Sequence, residues 1–161
     1  MATIREQCTA QAVAQFNTGT PGGVPAAARA GTAAARLPSE AAAHRSVIVK
    51  KRSSGGATNT LVPPDRPGGR SGPITRHYLT LEFEFRAAGD GSTAPDQIVE
   101  TDYAWAVKAL VGTTLNGLAI SVSEGPSLFQ ETEQGEYPMC LLITQFIVEY
   151  TTRVNDAELK S

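Results

Sequence analysis

Residues that carry chemistry are scarce in this chain: two cysteines, two histidines, two methionines and one tryptophan in 161 residues. Cys8 and Cys140 are too few and too far apart for a disulfide framework or a Cys-x-x-Cys metal knuckle, so both are expected as small buried hydrophobes. His44 and His77 stand beside Arg45 and Arg76 and lack a second ligand at metal spacing, which leaves plain exposed side chains. No glycine string leads into Lys and Ser or Thr, and neither Gly-x-Ser-x-Gly nor His-Glu-x-x-His occurs. Nucleotide hydrolysis and the common hydrolase chemistries thereby lose their signatures, and no cofactor or metal is implied.

An excess of one charge is also missing. With 14 basic and 16 acidic residues the formal charge is −2, neither a nucleic-acid binder's basic surplus nor an acidic tail. No apolar run reaches the ~20 residues of a membrane span, and the N-terminus (MATIREQ) has no signal-peptide pattern. The expectation is a cytosolic protein without membrane association. No solenoid period or sustained heptad is visible. The length fits a single domain, 1–161, that removes roughly two-thirds of its unfolded surface from water.

What is present reads as helices and strands. Thr3 and Glu6 have capping-box spacing, and Ile4, Cys8, Ala12 and Phe16 recur every fourth residue, predicting a helix over 3–16. The stretch 17–43, rich in Ala, Gly and Pro, reads as loop or a weakly fixed helical turn. A short strand follows at Ser46–Arg52, and 53–73, dense in Gly and Pro, reads as a long mobile loop at the tip of an oversized hairpin. Ile74–Ala87 alternates cleanly: Leu79, Leu81, Phe83 and Phe85 belong to the core, while Thr80, Glu82 and Glu84 form an acidic face toward water or a partner.

Pro95 and Asp96 open a second helix with Val99, Tyr103, Ala106, Val107 and Leu110 as its buried stripe, stopped by Gly112. A modest strand is expected over 117–124. The final run Met139–Arg153 (MCLLITQFIVEYTTR) is one long strand with Leu142, Phe146, Val148 and Tyr150 on one face and Gln145, Glu149 and Arg153 on the other. Fully extended it would reach about 50 Å, so it bends, bulges or projects past its own subunit. The fold expected is α+β: a mainly antiparallel four-stranded sheet with two helices on one side, in the order αββαββ.

Few residues suggest a site. Glu82 and Glu84 share a strand face at roughly 7 Å, within reach of paired-carboxylate catalysis, yet nothing in the sequence supplies a third group, and a wet charged face or a contact with a neighbouring subunit explains them better. Lys50, Lys51, Arg52, Arg66, Arg70 and Arg76 gather around the long loop. They read as solvated charge, as a contact for an acidic protein surface, or as a nucleic-acid contact without aromatic residues for stacking. Trp105, off the main stripe of its helix, is either a core-rim residue or an interface anchor.

The capped first helix, the arginine-bearing segment up to Leu37-Pro38, the Val-rich strand, RHYLTLEFEFRAAGD, the Pro-Asp-started helix with WAVKAL and a last strand closing on EYTTRVND together resemble the tail terminator (tail completion, or minor tail) proteins of long-tailed bacteriophages. The resemblance implies a non-enzymatic virion protein, assembled in the host cytoplasm. It would form a hexameric ring that caps the head-proximal end of the tail tube, stops tube polymerisation and joins the tail to head-completion or connector proteins. DNA would pass through the lumen without specific binding, with Glu82 and Glu84 as a candidate like-charged wall. Subunits would pack through sheet edges and the ends of the long strands, with Lys50, Lys51, Arg52, Arg66 and Arg70, the acids Glu82, Glu84 and Glu149, and Trp105 and Arg153 as interface candidates. Another ring of the same virion, a connector or tube subunit, and a small nucleic-acid binding module are the rival readings.

Overall fold

The structure, a computed structural model, describes residues 2–32, 45–61, 73–89, 91–132, 138–153 and 156–160. Helix α1 (Ile4–Phe16) begins where the sequence places it, with the Thr3 hydroxyl accepting the Glu6 N–H at 3.2 Å. Ile4, Cys8, Ala12 and Phe16 are buried as their spacing predicts. Glu6 does not complete the capping box; its carboxylate instead takes Arg29 and Lys51. Helix α2 (Pro95–Leu110) starts on Pro95, carries Asp96 in its first turn and ends before Gly112, whose φ of +76° only glycine adopts without strain. Its buried stripe is Val99, Asp102, Ala106 and Leu110, so an acid sits where Tyr103 and Val107 were expected; those two are partly buried beside it.

The sheet departs from the four antiparallel strands and the αββαββ order expected. Strands β1 (Ala27–Arg29), β2 (Arg45–Leu61), β3 (Pro73–Ala88), β4 (Ser121–Thr132) and β5 (Met139–Arg153) lie in the order β1-β2-β3-β5-β4. β1 runs parallel to β2, so the sheet is mixed, and β6 (Asp156–Lys160) pairs with the end of β5 off that path. β1 escapes sequence reading because it is held by a tertiary contact and not by apolar alternation. The Asn17 amide, at the end of α1, accepts the Ala27 N–H at 2.7 Å and donates to the Ala27 carbonyl at 3.1 Å. β6, polar and charged, has no core pattern to announce it.

The central pair is regular over its whole length, from Ile74 opposite Arg153 to Ala88 opposite Met139. β2 does not stop at Arg52. Its pairing with β3 continues from Ser53 opposite Thr80 to Leu61 opposite Pro73, interrupted by bulges at Lys51/Ser53 and Gly55/Thr58. What remains of the expected 53–73 loop is 62–72, outside the described residues. β4 starts later than expected because Leu115, Asn116 and Gly117 turn the chain in three successive left-handed conformations before it.

One face of the sheet meets both helices. Leu79, Leu81, Phe83 and Phe85 of β3 and Leu142, Phe146 and Val148 of β5 pack against Ile4, Phe16, Val99 and Leu110. Phe83 is the hub: its ring lies 5.1 Å from Phe146 edge-on, 5.9 Å from Phe16 and 6.1 Å from Phe85. Each such ring contributes about 1.5–3 kcal/mol by leaving water, which is why this face fixes the register of every strand behind it.

Candidate interaction surface

The opposite face of the sheet carries the residues singled out in the sequence. Because side chains alternate along a strand, Glu82, Glu84 and Arg86 point away from the helices, and the register sets Lys50 opposite Glu82 and Ile48 opposite Glu84. The acidic face expected to meet water is not exposed. Glu82 and Glu84 are only 5% and 4% accessible, lying beneath cations of their own chain. Arg52, the extra residue of the first β2 bulge, holds Glu82 with two parallel bonds of 2.8 Å from Nε and Nη2. Lys50 reaches diagonally to Glu84, whose second oxygen accepts Arg86 Nη2 at 2.9 Å.

Burial alone would push the Glu84 carboxyl up, but the Lys50 and Arg86 bonds outweigh it and hold the group below its ordinary range. Further along, Arg76 Nε stands 3.1 Å from Glu149. The outer layer of this face is therefore a row of cationic heads over a floor of carboxylates, with each of these carboxylates held by a cation of the same chain. A like-charged acidic wall cannot be built from Glu82 and Glu84 in this arrangement.

Lys51 points to the helix side, where its Nζ donates to Glu6 at 2.7 Å. Arg66 and Arg70 lie outside the described residues, as does His44, and for Arg153 only its backbone pairings with Ile74 and Asp156 are described. Trp105 settles as a rim residue: its indole N–H donates to the Phe16 carbonyl at 2.8 Å, tying α2 to the end of α1. His77 is not plainly exposed. It stacks on Tyr150 at 4.9 Å and shares a 2.9 Å hydrogen bond with Thr152 Oγ1, and burial, then Arg5, lowers its pKa. Cys8 and Cys140 are both free and buried, and burial first, with acids nearby, pushes the Cys140 thiol up to about 11.

Two features of the surface went unread in the sequence. The first is the orphaned pair Ser46 Oγ and Arg86 Nε, opposite one another across β2 and β3, buried and without partners. The second is the outer strand β4, where Leu128 is 53% and Phe129 41% exposed, opposite Ile143 and Leu142 of β5. Leu128 and Phe129 lie beyond the strand end expected at 124, past the irregularity between Glu124 and Ser127 that interrupts the alternation.

An open cleft of about 530 Å³ lies between α1 and the turn after α2, lined by neutral side chains such as Gln11, Gln15, Thr18, Thr113 and Asn116. That lining offers hydrogen bonds but no acid, base or thiol. Among the described residues no three His, Cys, Asp or Glu side chains gather as a metal site, and no helix is long and apolar enough to cross a membrane. Comparison with protein-family models finds no match, and no curated protein matches the sequence at a significant level.

Proposed function

We propose that this chain is a structural subunit that works by assembling with copies of itself, as the ring that closes the head-proximal end of a phage tail. The observation that carries the reading is the one-sided fold. Both helices and the described hydrophobic core lie on one face of the sheet, while long strands leave the other face and the outer strand β4 without a covering layer among the described residues. A lone domain has little use for a bare edge of this length, and soluble proteins ordinarily protect such edges or occupy them.

The sequence resemblance to tail terminators supplies the setting: a hexameric ring seated on the tail tube protein and facing head-completion or connector proteins. Ion pairing speaks against the nucleic-acid module, since Lys50, Arg52 and Arg76 on the outer face, and Lys51 on the helix side, already hold carboxylates of the same chain. Native mass spectrometry of the purified protein, with electron microscopy of labelled tails, tests the reading. A closed oligomer located at the tube end is expected; a monomer at every concentration, or a label elsewhere on the particle, overturns it.

A further inference from the structure

The two outer margins of the sheet are opposite in composition. β4 (SVSEGPSLFQET) carries Glu124 and Glu131 and no base, whereas β2 (RSVIVKKRSSGGATNTL) carries no acid; of its cations Arg45, Lys50 and Arg52 are committed to Asp102, Glu84 and Glu82, which leaves Lys51, bonded to Glu6 but 37% exposed, to face a neighbour. β1 covers β2 only at Val47, Ile48 and Val49, so from Lys50 to Leu61 its outer backbone edge has no partner among the described strands. β4 likewise has β5 on one side and none of the described strands on the other. We infer that these margins are the two halves of one contact, in which the Ser127–Thr132 arm of β4 pairs with the Lys50–Leu61 edge of β2 in a second copy. The inference rests on the self-assembly reading above and names its contact surface.

Strand direction supports it. β2, β3, β5 and β4 alternate up and down across the sheet, so a copy rotated about an axis inclined to the strands by less than a right angle presents its β2 running against β4, and the ladder continues without reversing its pattern. Such a contact is head-to-tail, and it closes when the rotation divides a full turn. Side-chain facing agrees as well. Lys51 lies opposite Leu81 and Glu131 opposite Cys140, both of which face the helices, so in a joined sheet Lys51 and Glu131 stand on the same side.

The arm is chosen by what interrupts β4. Gly125 and Pro126 form a bulge there, and Gly125 packs so closely that an added Cβ would lie 3.2 Å from the Gln145 carbonyl oxygen. Proline offers no N–H, so an incoming strand is confined to one side of the break. Beyond it stand the exposed Leu128 and Phe129, one on each face, which pairing would cover. Glu131 lies level with Arg45 through Cys140 and Ala87, so matching it to Lys51 staggers neighbouring copies by roughly 20 Å along the strands; closure of a tilted sheet requires such a stagger.

A charge exchange tests the contact on the full chain by native mass spectrometry and light scattering. Glu131→Lys should weaken association about three- to tenfold, attraction across strands having become repulsion; Lys51→Glu should do the same while also losing its own-chain bond to Glu6, so the double variant should associate better than either single variant and keep the melting temperature of Lys51→Glu. Leu128→Lys, at a position too exposed to matter for folding, should weaken association without lowering the melting temperature. Oligomers that persist unchanged in all three single variants, or a double variant no better than its parents, overturn the pairing and leave the ring reading intact. A wild-type chain that stays monomeric removes both.

Discussion

Arg45, the first residue of β2, grips Asp102 in the middle of α2: Nε donates to the two carboxylate oxygens at 3.1 and 2.9 Å, and Nη2 adds a third bond. Asp102 is wholly buried, and its pKa is nonetheless raised, because burial outweighs the pull of the guanidinium. The pair ties the middle of α2 to the start of β2, on the half of the sheet remote from β4.

Arg45→Met should cost about 3–5 kcal/mol at neutral pH, since it strands a carboxylate in the core. A carboxyl whose folded pKa lies above the unfolded value favours folding at low pH and loses that contribution as pH rises through the raised value. The penalty should therefore shrink on acidification, and urea unfolding at pH 4 and pH 7 checks it. Equal penalties at both would contradict the burial argument.

Glu84 titrates with the opposite sign. Its folded pKa is lowered, so the stability it contributes is present above its unfolded pKa and disappears as pH falls through the folded one. Glu84→Gln should cost about 1.5–3 kcal/mol at neutral pH, the range for bonds to charged partners. Near pH 3 the variant and the native chain should converge in chemical denaturation.

The ring of His77 should titrate below its usual 6.5, since burial and the nearby Arg5 both disfavour the cation. Its contribution is whole above 6.5 and is lost as pH drops through the depressed value. Imidazole proton shifts followed by NMR give the value directly, and a midpoint above 6.5 would show that the Tyr150 stack does not shield the ring.

Ser46→Ala should be neutral or stabilising by up to about 1 kcal/mol, because the hydroxyl is buried without a partner and its removal abolishes a desolvation cost. Thermal melts decide it. The two thiols should resist Ellman's reagent until the chain unfolds, at which point both react.

Much of this architecture could be read where a strong pattern meets a strong core. α1, β3 and β5 fall within a residue or so of their expected bounds because their apolar periodicity is the pattern that the Phe83 cluster then buries. The short strand β1 could not be read, since it depends on Asn17 reaching across to Ala27. The acidic face was legible as a face but not as a buried one. Which cations lie over Glu82 and Glu84 is decided by the bulge that inserts Arg52, and alternation in a single strand says nothing about its neighbour's irregularity. Asp102 is the converse: a lone acid between apolar positions carries no local sign of burial, which only the distant Arg45 makes tolerable.

The position of β3 also bears on how the chain acquires its shape. One flank of β3 is closed by the neighbouring hairpin arm β2, but the other waits for β5, which arrives only after α2 and β4 have been traversed. Contacts so distant in sequence form slowly, and until they do the Leu79–Phe85 ridge has lost half its shelter. Nascent molecules thus pass through an interval of stickiness, and host chaperones or low growth temperature should raise the soluble yield more than any change to the finished surface.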